Sequence, residues 1–557
     1  MRHHRIRESF KMPNRFITTH PYLILFSIVL VLRLATALPL QQAGYMDASY
    51  VMHIAENLAR GQGFGENVLW NYLDNPSGLP HPSNLYWMPL PSILVAPFYA
   101  LLGAAYRVAQ IPFILISTLL PLFTFYLARR IFARDDYAWA AALFTAFSGF
   151  YTIYWVSPDN FAPFALTASV CLYVIARGVE TQSPKYFFIA GILAALSHLS
   201  RADGLLLLAV APLVLFIAAR RKQEFHASRV TFYVLRITFY VLHFTFYFFL
   251  GYFLLMSPWF LRNYFTVGTP YPSAGTKTLW LTSYDELFRF TDDLTWQRYL
   301  AWGVDNILAS KVRAAIFNLA VIVLGALQLF LFPFAVIGLI QLRRRLELLP
   351  FFVYALLLYL AMTLAFTFPA MRGSMLHSAG AWLPFLAVAA PSGIDAAIRW
   401  VARRRRTWDA VQASRFFRVG AIGLALFLSI YVYAQGIFPI GTPPTEIPLW
   451  NARDMEYAPI ARWLDQNAHT DDVVMVVDPP GFSNVSHRRA IVIPTDSIAA
   501  VFAAAQKYNA RYLILQLDHP HALSDLYDKR TNIPGLLPLA DFRDGVGKTS
   551  TLYEVRQ

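Results

Sequence analysis

Between Pro21 and Ile437 the chain repeats long runs of apolar residues, and no other feature limits its folding as strongly. About 20 apolar residues in a helix match the hydrocarbon thickness of a bilayer, where every backbone N–H and C=O must find its partner within the chain. Hydrophobic residues make up 57% of the 557 residues and charged residues only 14%, against about a quarter in soluble domains. A string of soluble domains is excluded. On a soluble chain the formal net charge of +14 would suggest nucleic acid. Here the basic residues cluster between apolar runs, so membrane topology accounts for them and no nucleic-acid partner is expected. The single cysteine, Cys171, lies in an apolar run, which excludes an intrachain disulfide, a zinc cluster and a thiol redox pair.

Arg2, Arg5, Arg7, Lys11 and Arg15 precede the first run, at about 21–40. That run is longer than a signal-peptide core and no small-residue cleavage pattern follows it, so a retained span with a cytoplasmic N-terminus is expected. Further runs lie near 108–128, 137–157, 160–178, 186–200, 204–219, 239–256, 314–340, 350–368, 378–398 and 419–438. They bring the expectation to about eleven transmembrane helices. The basic clusters Arg129/Arg130/Arg134, Arg220/Arg221/Lys222, Arg343/Arg344/Arg345 and Arg403 to Arg406 then all fall on the cytoplasmic side. Segment 89–106 is also apolar enough to cross. Pro89, Pro91 and Pro97 interrupt its helical hydrogen bonds, so it reads as a helix in or dipping into the outer interface, with a true span as the alternative.

The expected fold class is mainly α: a polytopic protein of the cell (plasma or inner) membrane, with residues 1–440 forming the membrane part. Two large outer loops, 41–107 and 257–313, interrupt it, and the first carries interfacial helices. A period-seven repeat of Phe232/Tyr233, Phe239/Tyr240 and Phe246/Tyr247 reads as an extension of a span rather than a coiled-coil seam. From about Gly441 the composition changes. YAPIARWLDQN reads as a helix, DDVVMVVD and AIVIP as strands, TDSIAAVFAAAQKYN as a capped helix and RYLILQ as a strand, which makes 441–557 a small extracytoplasmic α/β domain. Gly547-Lys548-Thr549 resembles the end of a phosphate-binding loop. The glycine required five residues earlier is Phe542, and TSTLYEVR reads as a strand, so that motif is rejected.

Acids are few in the membrane part, which makes each one informative. Asp47 follows the first span and opens an amphipathic segment. Val51, Ile54 and Leu58 share one face of it, and His53, Glu56, Asn57 and Arg60 another. Asp47 is either a helix cap or a carboxylate presented at the headgroup level. Asp159, between Pro158 and Pro163, emerges on the same side and leaves the same two readings open. Arg201 and Asp203 in LSHLSRADGLLLL form either a pair that closes a helical turn or a phosphate-binding arginine with its partner. Arg262, Lys277, Arg372 and His377 are further outward-facing cations, each explicable as a headgroup contact and together able to line one electropositive pocket.

MDASYVMHIAENLARGQGF, TFYLARRIFARDDYAWAAALFTAFSGFYTIYWVSPDNFA and ALSHLSRADGLLLLAVAP, in that order, resemble the GT-C glycosyltransferases. Within them the chain is most similar to bacterial lipid A aminoarabinose transferases and protein O-mannosyltransferases. The resemblance implies transfer of a sugar from a polyprenyl-phosphate donor to a lipid, glycan or protein acceptor at the extracytoplasmic face, by one inverting displacement. It implies Asp47 as the essential acid and general base, and Asp159 as the second acid that orients acceptor or base. Arg201, Arg262, Arg372 and His377 become donor-phosphate ligands, and His53, Glu56 and Lys277 substrate contacts. The chain departs from the pattern in two places. Ala48 stands where relatives often carry a second acid, and Arg201 stands where they often carry Lys. No cofactor is assigned; two acids leave room for a divalent ion, but no ligand cluster is evident.

Two other classes compete. A lipid-linked sugar transporter or flippase would show internal repeats and broken helices at the bilayer midplane, and no inverted repeat is visible. A non-catalytic membrane scaffold would use the C-terminal domain to bind a partner.

Overall fold

The computed structural model describes residues 20–222, 230–272, 274–405, 407–438, 448–543 and 549–556, with side chains except at 222, 230–235 and 453–454. Arg2, Arg5, Arg7, Lys11, Arg15, Arg406, Gly547 and Lys548 lie outside it, as do the side chains of Phe232 and Tyr233. Among the described residues, eight helices are long and apolar enough to cross a membrane, and Pro21–Ala37, Leu90–Leu102 and Phe332–Leu342 are shorter apolar helices. The apolar window of Thr367–Arg404 is 89% buried, whereas those of Val304–Ala326 and Ala410–Ile437 are 17% buried. The first therefore forms the middle of the bundle, and the other two present their apolar side chains outward, as lipid-facing helices do.

The helices depart from the expected runs in three places. The run at 137–157 is not one helix: Asp135–Ala146 ends, the chain turns at Gly149 with φ +56°, and only the short Tyr151–Tyr154 follows. The run at 314–340 is divided between Val304–Ala320, prolonged by the π-helical turn Val321–Ala326, and Phe332–Leu342. Gln328 and Leu329 adopt φ of 48° and 60°, which no continuous right-handed helix accommodates. The connection expected at 257–313 is shorter, because Val230–Val267 continues past Pro258 and Val304–Ala320 begins before Arg313. Helical hydrogen bonding persists beyond the point where the residues cease to be apolar.

Leu90–Leu102 has 13 residues. At 1.5 Å per residue it is about 20 Å long, short of the ~30 Å hydrocarbon core. It packs on Met46–Ala59 and Tyr106–Phe132. The aromatic repeat lies on Val230–Val267, where Phe239 and Phe246 are exposed. They face outward and make no coiled-coil seam.

Among the described residues, two helix pairs bring a glycine on each helix against a backbone carbonyl of the other. On Pro184–Ser200 and Val230–Val267, a Cβ at Gly191 would overlap the Phe248 carbonyl and one at Gly251 the Phe188 carbonyl. Gly338 and Gly393 stand in the same relation to the Ala389 and Phe334 carbonyls, between Phe332–Leu342 and Leu383–Arg404. Where lipid offers no hydrophobic drive for association, such contacts supply the dispersion energy that holds helices together.

The C-terminal α/β unit contains the helices and strands read from its sequence, together with a helix Pro479–Ser486 and a hairpin. Its six-stranded sheet runs in the order Val68–Leu69, Ala490–Val492, Val473–Val476, Ala510–Leu515, Thr549–Val555, Leu536–Arg543. The first four strands are parallel and the last two antiparallel. The edge strand Val68–Leu69 comes from the first loop, so loop and C-terminal unit share one sheet. Val501, Ala504 and Ala505 of Ile498–Tyr508 cover one face, and Tyr457, Ile460 and Leu464 of Leu449–Asn467 cover the other. Overpacking a helix crossing costs about 1–3 kcal/mol. Gly191→Leu and Gly393→Val should each lower the melting temperature of the detergent-solubilised protein, whereas Gly420→Leu, at a position with no atom near its Cβ, should leave it in place.

Candidate active site

Helix Pro21–Ala37 and helix Met46–Ala59 are joined by a turn that ends on Gly44, with φ +74°, and Tyr45. Tyr45, not Asp47, takes the N-cap position, and Asp47 stands in the first helical turn. Capping therefore does not account for this carboxylate, which the unpaired N–H groups and dipole at the helix start favour. Asp159 is buried at 1% exposure in the turn before Phe161–Thr181. It accepts from the Asn160 backbone N–H at 2.5 Å and from the Tyr45 hydroxyl at 2.9 Å.

Arg201 follows the last turn of Pro184–Ser200 in extended conformation. Its Nε donates to Asp203 at 2.7 Å and its Nη1 to the Asn160 side-chain carbonyl at 3.4 Å. The other Asp203 oxygen accepts from Ser378 Oγ. Asp203 thus fixes the arginine, as a pair closing the turn would, and the arginine faces the acids. His377 reaches the same place because the helix breaks at Gly373, with φ +123°. Its Nδ1 lies 2.7 Å from the Asn160 side-chain oxygen and 3.8 Å from Asp159, and its ring stacks on Phe161 at 3.7 Å. Arg372 packs 5.2 Å over the Tyr284 ring. Tyr284 and Tyr86 both lie within electrostatic reach of Asp47.

Asp47, Asp159, Arg201, His377 and Arg372 therefore gather at one end of the bundle from widely separated parts of the chain. The other candidates stand elsewhere. Arg262 donates to the Phe64 carbonyl at 2.9 Å, packs over Trp259 at 4.8 Å and lines a separate cavity of about 470 Å³ with Phe64, His81 and Thr266. Lys277 bridges the Leu73 carbonyl, at 2.7 Å, and Asp292, at 2.6 Å. Glu56 pairs with Arg60 at 2.5 Å. His53 is buried, and burial pushes its imidazole down to about 4, so it stays neutral. Tyr45, Asn160, Tyr86 and Tyr284 join the site without having been singled out in the sequence. Only the adjacency of Tyr45 and Asn160 to the two aspartates offered a signal.

Burial raises both the Asp47 and Asp159 carboxyls above the usual range, and the charge of Asp159 raises Asp47 further. Arg201 opposes both shifts, and the Asn160 N–H and the Tyr45 hydroxyl oppose that of Asp159. Two adjacent carboxylates resist ionising together unless positive charge joins them. Asp47, Asp159 and His377 each place one ligand atom within 4.8 Å of the others, the one such grouping among the described residues. Two hard oxygens and an imidazole suit a divalent cation, and the partial exposure of Asp47 leaves a side open to further ligands.

Residues 81–248 match the family model of dolichyl-phosphate-mannose-protein mannosyltransferase. Among solved structures, the chain resembles the oligosaccharyltransferase of Archaeoglobus fulgidus in complex with zinc and sulfate, at 13% identity over 90% of this chain and 69% of that one, with a TM-score of 0.56. It also resembles ArnT from Cupriavidus metallidurans bound to undecaprenyl phosphate, at 11% identity over 96% of this chain and 98% of that one, with a TM-score of 0.56. The Archaeoglobus fulgidus oligosaccharyltransferase AglB in complex with an inhibitory peptide and a dolichol-phosphate aligns at 12% identity over 92% of this chain and 71% of that one, with a TM-score of 0.52. No curated protein matches the chain by sequence. At these identities the likeness establishes the GT-C fold of a multi-pass membrane protein, and the family match points with it to a glycosyltransferase.

A carboxyl whose pKa is raised on folding lowers stability as pH climbs from its unfolded value through its folded one. In chelator-treated protein, Asp47→Asn should therefore raise the melting temperature at pH 7. The gain should shrink as pH falls and vanish near pH 4, where the carboxyl is protonated in both states. Thermal unfolding across that range checks both the sign and the window.

Proposed function

We propose that this GT-C protein transfers a sugar from a polyprenyl-phosphate donor to a hydroxyl of a lipid, glycan or protein acceptor at the extracytoplasmic face of the membrane. The observation that carries the reading is the convergence of Asp47, Asp159, Arg201 and His377 on one partly open site. The likeness to structures that hold undecaprenyl phosphate and dolichol-phosphate supports the class of donor.

Asp47, at the exposed side of the pair, takes the proton of the acceptor hydroxyl as its oxygen attacks the anomeric carbon; a placed general base contributes about 10²–10⁴-fold. The bond from that carbon to the phosphate oxygen breaks, the electron pair leaves with the phosphate, and a single displacement inverts the centre. Asp159, held by Tyr45 and the Asn160 N–H, orients Asp47 and the acceptor. Arg201 and Arg372 stabilise the leaving phosphate, where negative charge grows most in the transition state. Asp47, Asp159 and His377 form the donor set for a divalent cation. When bound there, such an ion would supply positive charge favouring the ionised carboxylates and a neighbouring phosphate. Arg262 stays a candidate for the carrier at its own cavity, and His53, Glu56 and Lys277 serve the architecture of the loops rather than the reaction.

The test is incubation of the purified protein with labelled polyprenyl-phosphate sugar, reading release of carrier phosphate. Asp47→Asn should lower turnover at least about 100-fold with gel-filtration profile and helical content unchanged; near-normal turnover would reject the assignment. Translocation of the lipid in liposomes without turnover would favour a transporter. Chelation should suppress turnover and added Mn²⁺ or Mg²⁺ restore it, and indifference to both would remove the cation from the mechanism.

A further inference from the structure

Helix Leu449–Asn467 belongs to the C-terminal α/β unit, but its first turn is fastened to the chain just before the catalytic helix. Asn451 is buried at 1% exposure. Its Oδ1 accepts from the Gln41 backbone N–H at 2.8 Å, and its Nδ2 donates to the Pro39 carbonyl at 3.1 Å. The Trp450 indole N–H donates to the Gln42 carbonyl at 3.1 Å. Gly44 makes room for this indole, since a Cβ there would overlap the Trp450 ring.

The same ring then reaches the site. Tyr45 lies edge-on to Trp450, with ring centroids 5.6 Å apart at 71°, and to Tyr154, at 5.8 Å and 79°. Trp450 and Tyr154 meet at 6.1 Å and close the slot. A tyrosine gripped on two sides has little freedom in its ring direction, and this one directs its hydroxyl to Asp159 at 2.9 Å. Tyr45 is also the N-cap residue of the helix that carries Asp47. One aromatic contact thus governs both the direction of one acid and the starting point of the other.

We infer that Trp450 is a positioning residue for the acid pair. It touches no reacting atom and acts through Tyr45, so the C-terminal unit completes the catalytic centre rather than merely covering it. The inference rests on the transferase reading above for its kinetic arm only.

Supporting residues around a ligand set typically change activity about 10–100-fold when removed. Trp450→Leu and Tyr45→Phe should each lower kcat by that much, with KM for the donor changed less than about twofold. Because both remove the same restraint, the double variant should be no slower than the slower single one, whereas independent contributions would multiply. Multiplying losses, or a change confined to KM, would overturn the inference. The structural arm needs no turnover. With 3-fluorotyrosine at position 45, the fluorine resonance should move and broaden in Trp450→Phe, a variant that retains a ring and therefore the packing. An unmoved resonance would overturn the inference. Wild-type protein without turnover would instead reject the transferase reading and leave the fluorine measurement to decide this one.

Discussion

Two aspartates brought together at the end of an apolar bundle repel each other and resist burial, and the arrangement of the site follows from that constraint. Asp159, the more buried, receives a backbone N–H, a tyrosine hydroxyl and the field of Arg201. Asp47 faces outward and keeps the start of a helix behind it. The arginine is itself fixed by Asp203, which Ser378 secures to the helix that carries His377. Positive and negative groups thus restrain one another in a closed set of contacts. The apolar surroundings strengthen each of them and make any unmatched charge costly.

Breaks in regular structure deliver these groups. A continuous helix over 137–157 would carry no turn at Gly149, and an unbroken one over 367–404 would turn His377 away from Asn160. The glycine-lined helix crossings do the opposite work. They fix neighbouring helices at close range, so that the irregular segments between them have a firm frame. Rigid packing and local irregularity are complementary here: side chains can be aimed across the bundle because the helices carrying them cannot slide.

The C-terminal unit is part of the same device. Its sheet takes its edge strand, Val68–Leu69, from the first loop, Asn484 donates to the Ser49 carbonyl at 2.8 Å on the Asp47 helix, and Trp450 packs against Gly44 and Tyr45. Asn451 adds hydrogen bonds to Gln41 and Pro39, so the loop that carries Asp47 is tethered to a folded unit at several places along its length.

What the sequence determined by itself was the solvent, the element types and the two acids. Apolar runs, the amphipathic spacing after Asp47 and the alternating pattern after Gly441 reflect hydrogen-bond periodicity and burial, which act over a few residues and are legible in order along the chain. The scarcity of acids in the membrane part made Asp47 and Asp159 visible. Tertiary structure alone decided that Arg201 and His377 meet those acids, that Arg372 packs on Tyr284 beside them while Arg262 and Lys277 stand elsewhere, and that Tyr45, Asn160 and Trp450 surround them. A strand from residues 68–69 pairing with one at 490–492 leaves no mark in either segment. Such contacts arise from the summed packing of many side chains over hundreds of residues, and local periodicity carries no record of that sum.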